Sequence, residues 1–265
     1  MLKKQLDKHS IAFKILNLDA KIPTQSAIIL ATSEDVDKLE VKKHNNYLVY
    51  SKNQDFKKYL IKVIAAFRIG YKKYYSKLTF SIDPGKKLGL MIFLDDYYLE
   101  SYCCFEPGDL HRIINQYYET FQGDNPKLMF LDFKLGRGVL PITFNLAKQI
   151  YNNFHERKNL QVLLIDEFKS SKIRISADRA GRKFTKDEIS ALVLTFRTGI
   201  MVNISNYETI FQLIRNKKLN AGILKKVKSE NDEESLIDLR KVSVKVLNGE
   251  LDIISAIQIL NPIKT

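Results

Sequence analysis

The sequence is poor in the residues that build several common kinds of site. It contains only two cysteines, and these are adjacent at Cys103 and Cys104, which suits neither a disulfide framework nor the spacing of zinc ligands. We therefore interpret them as buried strand residues in a reducing compartment. The four histidines show neither a Ser/His/Asp nor a His-x-x-x-His pattern, so neither a nucleophilic triad nor a paired-histidine metal site is expected.

Long apolar segments are also missing. No apolar run approaches the roughly 18 residues that a membrane span requires. The N-terminal segment MLKKQLDKHSIAFKILNLD carries acids and lacks the apolar core of a secretory signal. We therefore expect a cytoplasmic protein that does not associate with membranes.

Basic residues are in clear excess. Lys and Arg number 43 against 30 Asp and Glu, which gives a formal charge of +13 and a pI near 9.5. Such a balance is typical of proteins that approach phosphates, although an AT-rich genome, with its lysine codons, gives the same excess. With 265 residues and 45% hydrophobic content, the chain can bury one large domain and a smaller one.

The order of strand and helix signals predicts an α/β protein in three parts. Residues 1–75 read as a small N-terminal α/β module, residues 76–204 as the main domain, and residues 205–265 as a helical C-terminal extension. In the main domain, three strands are followed by helix, strand, helix, strand and helix. That order predicts a mixed sheet with parallel crossovers, flanked by helices.

Three acids occupy comparable positions in the main domain. Asp83 ends the strand LTFSID before a Pro-Gly turn, Glu167 follows the apolar strand VLLI, and Asp187 lies at the start of the helix KDEISALVLTF. Carboxylates at strand ends and helix starts can meet around a divalent cation. The alternatives are a turn-initiating aspartate at Asp83 and a helix-dipole acid at Asp187.

Two further acids, Glu188 and Asp166, are adjacent in sequence to these three, and their roles have to be distinguished. Thr185 and Glu188 fit a capping box, so Glu188 is expected to have a structural role, worth about 1 kcal/mol or less. Asp187 is then the acid of this turn that has no capping role. The small side chain of Ala191 lets the helix lie close to the sheet. One of Asp166 and Glu167 should face the crevice at the end of the sheet, but the sequence does not orient the pair.

These motifs resemble those of the RuvC/YqgF group in the ribonuclease H-like superfamily. Residues 82–85, IDPG, with Gly89 match the opening strand of that group, residues 165–167, IDE, match a late strand, and residues 187–191, DEISA, match the closing helix. The resemblance covers roughly residues 77–200. More loosely, the chain is similar to uncharacterised archaeal proteins in which this domain follows a small N-terminal module and precedes a helical tail.

The resemblance implies a ribonuclease H-like mixed sheet flanked by helices. It also implies catalysis at two Mg²⁺ or Mn²⁺ ions held by Asp83, Glu167 and Asp187. RuvC-type resolvases take the second acid from an earlier strand, which nominates Asp132 as a further metal ligand, although Asp132 can equally be an ordinary strand acid. The threonine that follows the late acid in the YqgF-like branch is replaced here by Phe168.

Basic residues near the acids are candidate contacts to a nucleic acid. Most lie on the segment between Glu167 and Asp187, whose alternative interpretation is a solvated loop. The predicted contacts are Lys86, Lys87, Lys134, Arg137, Lys169, Lys172, Arg174, Arg179, Arg182 and Lys183. The aromatic and basic run of residues 71–75 is either a platform for unpaired bases or a linker between the first two parts of the chain.

These features favour a divalent-metal-dependent endonuclease that cuts structured nucleic acid, either branched DNA such as Holliday junctions or an RNA precursor. A first alternative is a catalytically silent nucleic-acid-binding module with the same fold. A second is an actin-like phosphotransferase, which a single copy of the domain in so short a chain disfavours. The sequence leaves open the choice between DNA and RNA and whether the chain forms a homodimer.

Overall fold

The computed structural model of the chain describes residues 1–17, 28–38, 47–168, 170–216 and 232–262. The chain forms two compact units. The first unit comprises Met1–Tyr75 and Asn115–Pro126, and the second comprises Ser76–Ile114 and Lys127–Thr265. The first unit therefore includes a short later segment of the chain, Asn115–Pro126, in addition to its N-terminal part.

The first unit is a small α/β arrangement. Its elements are α1 (Leu2–Lys8), β1 (Ile29–Thr32), α2 (Ser33–Lys38), β2 (Tyr47–Tyr50) and α3 (Phe56–Ile69), and β1 pairs with β2 in parallel. The carboxylate of Asp55 caps α3 by accepting a hydrogen bond of 2.7 Å from the backbone N–H of Lys57. Helix α3 ends at Gly70, whose φ of 91° suits a residue without a Cβ.

The second unit is built on a mixed sheet of six strands. The strands are β3 (Lys77–Pro84), β4 (Leu88–Leu94), β5 (Tyr97–Cys104), β6 (Phe130–Gly136), β7 (Leu160–Ile165) and β8 (Gly199–Val202). Their order across the sheet is β5-β4-β3-β6-β7-β8. Strands β3, β4 and β5 form an antiparallel meander, β3, β6 and β7 are parallel, and β8 is antiparallel to β7. The predicted α/β class and mixed sheet are confirmed.

The other regular elements in the described part of the chain from Pro107 onward are helices and one short 3₁₀ turn. The helices are α4 (Pro107–Gln122), α5 (Leu140–Phe154), α6 (Lys186–Thr195), α7 (Tyr207–Arg215), α8 (Asp232–Leu247) and α9 (Ile253–Leu260), and the 3₁₀ turn is Ser170–Lys172. Helix α6 is buried from Glu188 onward and packs on β3 and β4. The Ser81 hydroxyl donates a hydrogen bond of 2.7 Å to the carbonyl of Ala191, and this small residue allows the close approach expected from the sequence.

The last two helices belong to the main core, whereas the sequence suggests an appendix. Val242 and Val246 of α8, with Ile253 of α9, pack in one buried cluster with Met91 of β4 and Leu192 of α6. The apolar side of α8 therefore covers the sheet and α6. The Asp252 carboxylate caps α9, accepting a hydrogen bond of 2.7 Å from the Ser255 N–H.

Two local features differ from the sequence-based expectation. Strand β8 is not predicted by the sequence, because four residues carry too little pattern to be recognised. The glycines of residues 134–138, KLGRG, favour a loop by sequence, but strand β6 continues through Gly136, since its pairing with β7 extends to the Gly136–Ile165 pair. Within the described ranges, no helix combines the length and the apolar character that crossing a membrane requires.

Candidate metal centre

The three predicted ligands lie at one end of the sheet. Asp83 is the penultimate residue of β3, and Glu167 comes two residues after β7 ends. Because β3, β6 and β7 are parallel, the carboxyl ends of all three strands lie at the same edge. Asp187 belongs to the first turn of α6, which packs across this part of the sheet.

Gly89 allows Asp187 to reach this edge. It pairs directly with Asp83 across β3 and β4. A Cβ atom on Gly89 would overlap the backbone carbonyl of Asp187. On the other side, Gly89 pairs with Cys103 of β5, whose Sγ lies 3.9 Å from Oδ2 of Asp187. The start of α6 therefore rests on a glycine, and this places Asp187 beside Asp83.

Asp83 lies close enough to Glu167 and Asp187 for their charges to act on it. Burial raises the pKa of Asp83 to about 7, and the negative charges of Glu167 and Asp187 contribute to this rise. A hydrogen bond from Ser190 and the positive charge of Lys186 act in the opposite direction. Such a cluster of like charges, brought together by the fold, is expected where a cation neutralises them.

Glu167 lies in a cradle formed by two glycines. The backbone N–H of Gly138 donates a hydrogen bond of 2.8 Å to Oε1 of Glu167. A Cβ atom on Gly136 or on Gly138 would overlap the carboxylate. Burial raises the pKa of Glu167, and the Gly138 hydrogen bond partly offsets this. The glycines of the KLGRG segment, residues 134–138, therefore leave room for the carboxylate of Glu167.

Asp166 faces a different set of partners. Its carboxylate pairs with Nη2 of Arg137 at 2.6 Å and accepts the Phe168 N–H at 2.9 Å, while its carbonyl accepts from Nη1 of Arg197 at 2.6 Å. Burial opposes ionisation, but the Arg137 hydrogen bond and charge hold the pKa of Asp166 below its ordinary value. Asp166 is thus anchored by arginines, and Glu167 is the member of the pair that acts on Asp83.

Asp132 lies away from these acids. It pairs with Thr79 of the neighbouring strand β3, and Thr79 precedes Asp83 by four residues. About 13 Å along the strand direction therefore separates Asp132 from Asp83. Its carboxylate is buried, with Nζ of Lys77 at 3.9 Å, and burial raises its pKa. The structure does not bring Asp132 to the other predicted ligands, because it belongs to the amino-terminal half of β6.

The predicted capping box is confirmed, and Glu188 has further partners. Oε2 of Glu188 accepts the Thr185 N–H at 2.7 Å, and the Thr185 hydroxyl accepts the Glu188 N–H at 3.2 Å. Oε1 accepts from the Ser101 hydroxyl at 2.7 Å and lies 3.4 Å from Nη2 of Arg182. At 5% exposure, Glu188 links α6 to β5, so the value of about 1 kcal/mol expected from the cap alone is too low.

Two of the residues predicted to contact nucleic acid, Arg182 and Lys134, instead bind groups within the protein. The Arg182 guanidinium pairs with Glu100 and donates to the Ser101 carbonyl at 2.5 Å, and it lies over the Phe184 ring. Lys134 is 6% exposed, and its Nζ donates to the carbonyl of Thr195. Both predictions are corrected, because each cation already has a buried acceptor.

The remaining predicted contacts mostly face solvent. Ile173 and Ile175 are buried in the core, so the alternating residues Lys172 and Arg174 point outward. Further along, residues 176–184 form a narrow turn closed by a bridge between Ala177 and Lys183. The segment is therefore anchored, unlike a solvated loop. The exposed predicted cations are Lys86, Lys87, Lys172, Arg174, Arg179 and Lys183, Arg137 is mostly enclosed, and Lys169 lies outside the described residues.

Three residues of the site are not singled out by the sequence. Ser190 and Lys186 act on Asp83, and Arg197 holds the backbone of Asp166. The helical spacing of Lys186 and Ser190, one turn apart on the helix that carries Asp187, is a signal that could have identified them. Arg197 has no such signal, because only the fold brings it to Asp166.

The donor set suits a hard cation such as Mg²⁺ or Mn²⁺, because it consists of carboxylate oxygens. As the side chains stand, however, no three His, Cys, Asp or Glu residues in the described part of the chain form a group ready to hold a metal ion. Comparisons with protein-family models, with curated proteins and with solved structures gave no significant match to this chain.

Proposed function

We propose that this chain is a divalent-metal-dependent endonuclease with a ribonuclease H-like fold, acting on structured nucleic acid. The observation that carries the proposal is the convergence of Asp83, Glu167 and Asp187, where burial and mutual repulsion raise the pKa of Asp83 to about 7. The fold places these acids at the sheet edge where open α/β sheets bind ligands. The antiparallel meander followed by parallel crossovers supports the fold assignment.

In this proposal, Asp83, Glu167 and Asp187 hold two Mg²⁺ or Mn²⁺ ions. When bound, such a pair supplies an activated water and stabilises the leaving oxygen of a phosphodiester. The carboxylates serve as ligands, and none of them attacks the substrate. The Gly138 N–H orients Glu167, and the Gly89 contact orients Asp187, so both are placed by backbone.

Exposed cations supply the binding surface for the substrate. Lys86 and Lys87 lie in the turn that follows β3, and Lys172, Arg174 and Lys183 lie on the segment between Glu167 and α6. Phosphates held by these side chains would bring a neighbouring phosphodiester to the acids.

The decisive experiment is Asp83→Asn with Asp132→Asn as its matched control. Both residues are aspartates with a raised pKa, and Asn resembles the protonated form of each. Asp83→Asn should abolish Mg²⁺- or Mn²⁺-dependent cleavage of junctions, flaps or RNA hairpins and retain binding, whereas Asp132→Asn should still cut. Wild-type cleavage by Asp83→Asn would refute the proposed site.

A second candidate is a nucleic-acid-binding module without catalysis. It is favoured by the finding that, among the described residues, no three potential ligands form a ready metal group. In that case, the wild-type chain binds branched DNA or structured RNA with strong salt dependence, but cuts no substrate with either metal.

A further inference from the structure

An exposed phenylalanine lies at the same end of the sheet as the three acids. Phe105 directly follows β5 and is 65% exposed. Its place along the sheet is fixed by the strand register, in which Leu88 pairs with Cys104, Gly89 with Cys103 and Asp83 with Gly89. Phe105 therefore lies beside the end of the sheet that carries the three acids. A phenylalanine ring left in water at a binding edge forgoes burial in the free protein, so it is suited to covering by a ligand.

Phe105 is paired with a cation. The Nζ of Lys87 lies over its ring, 4.8 Å from the centroid. Lys87 is the last residue of the tight turn between β3 and β4, four residues after Asp83, and Lys86 beside it is also exposed. A phosphate held by Lys87 would therefore have an aromatic face next to it, which is the combination that binds nucleotides of a single strand.

A second exposed aromatic residue follows β7, the strand that leads to Glu167. Phe168 directly follows Glu167 and is 66% exposed, and the Asp166 carboxylate fixes its backbone N–H at 2.9 Å. Strands β5 and β7 each lie two positions from β3 in the sheet. The strands that lead to Phe105 and Phe168 therefore lie on opposite sides of β3, each about 10 Å away across the sheet.

We propose that the substrate presents an unpaired base next to the scissile phosphate, and that this base stacks on Phe105 while Lys87 holds its phosphate. This inference rests on the proposed function, because it concerns the substrate of the same site. In an intact duplex, the faces of the bases are covered by their neighbours and cannot reach a protein ring. Phe105 therefore favours gaps, flaps, bulges or junction centres over continuous duplex.

The test compares binding to an intact duplex with binding to the same duplex carrying a short gap, in DNA and in RNA versions. Fluorescence anisotropy in EDTA measures affinity without cleavage, and 2-aminopurine at the gap reports stacking by its quenching. The wild-type chain should prefer the gapped form, and Phe105→Ala should reduce affinity for that form about 5- to 100-fold. Phe105→Trp should retain both preference and quenching.

The matched control is Phe67→Ala, a phenylalanine of α3 in the first unit that is 49% exposed. It should change neither affinity nor quenching. The proposal is overturned if wild type shows no preference for the gapped form of either nucleic acid. It is also overturned if Phe105→Ala binds the gapped form like wild type, which would leave Phe105 to an apolar protein partner.

Cleavage separates this inference from the proposed function. If the gap preference depends on Phe105 but no substrate is cut with Mg²⁺ or Mn²⁺, then the nuclease proposal fails and the base contact stands. If wild type cuts and Phe105→Ala cuts intact and gapped substrates in the same ratio as wild type, the base contact fails and the nuclease proposal stands.

Discussion

Replacing Asp83 by Asn should stabilise the protein in the absence of metal, and more so as the pH rises. The raised pKa means that the folded chain keeps a proton on Asp83 that the unfolded chain releases. Between about pH 4 and pH 7 the folded state therefore binds more protons, and its stability falls as the pH rises through this window. Asn carries no charge, so the variant is free of this pH-dependent destabilisation.

The size of the effect follows from the pKa. A folded value of about 7 against the ordinary 3.8 corresponds to on the order of 4 kcal/mol. Because Asp83 is partly exposed, water screens its charge, and roughly 2 kcal/mol is expected. For a chain of this size, that difference raises the Tm of Asp83→Asn above wild type by about 4–8 °C at pH 8, and by less at pH 5.

Thermal melts in EDTA at pH 5 and pH 8 measure this difference directly. Addition of Mg²⁺ or Mn²⁺ at pH 8 should then stabilise wild type, by about 2–3 kcal/mol at a hundredfold excess over Kd, and leave Asp83→Asn unchanged. Asp132→Asn is the control, since its carboxyl is also buried with a raised pKa but lies away from the acids. It should respond to metal like wild type. Parallel pH profiles for wild type and Asp83→Asn would refute the raised pKa of Asp83.

Three further predictions concern the frame and the surface of the site. Glu188→Ala should lower the free energy of unfolding by about 2–4 kcal/mol in denaturant titrations, because it leaves the buried Ser101 hydroxyl without its acceptor and removes one of the two carboxylates that pair with Arg182; a decrease below about 1 kcal/mol would leave Glu188 with its capping role alone. Gly89→Ala should lower stability by about 1–3 kcal/mol and abolish stabilisation by Mg²⁺, since its Cβ displaces the start of α6; an unchanged metal response in thermal melts would contradict this. Neutralising Lys172 and Arg174 together should flatten the slope of log Kd against log salt by about one for each phosphate that these side chains bind, and an unchanged slope would remove them from the binding surface.

Several features of this protein were readable from the sequence because they depend on local pattern. The alternation and runs of apolar residues identify β3 to β7, and the capping box identifies the start of α6 at Thr185. Acids that end parallel strands must come to one edge of the sheet, so the positions of Asp83 and Glu167 followed from their places in the strands. Strand β8 is too short to carry such a pattern.

The tertiary structure decided what each polar residue contacts. Asp166 and Glu167 are adjacent in the chain, and only the placement of Arg137 and Gly138 gives one of them to an arginine and the other to the acid cluster. Likewise, the sequence does not distinguish Lys134 from the exposed basic residues. In the folded chain, its Nζ donates a hydrogen bond to the buried carbonyl of Thr195. Periodicity records which residues are buried, whereas the partner of a buried charge is set by contacts between segments that are distant in sequence.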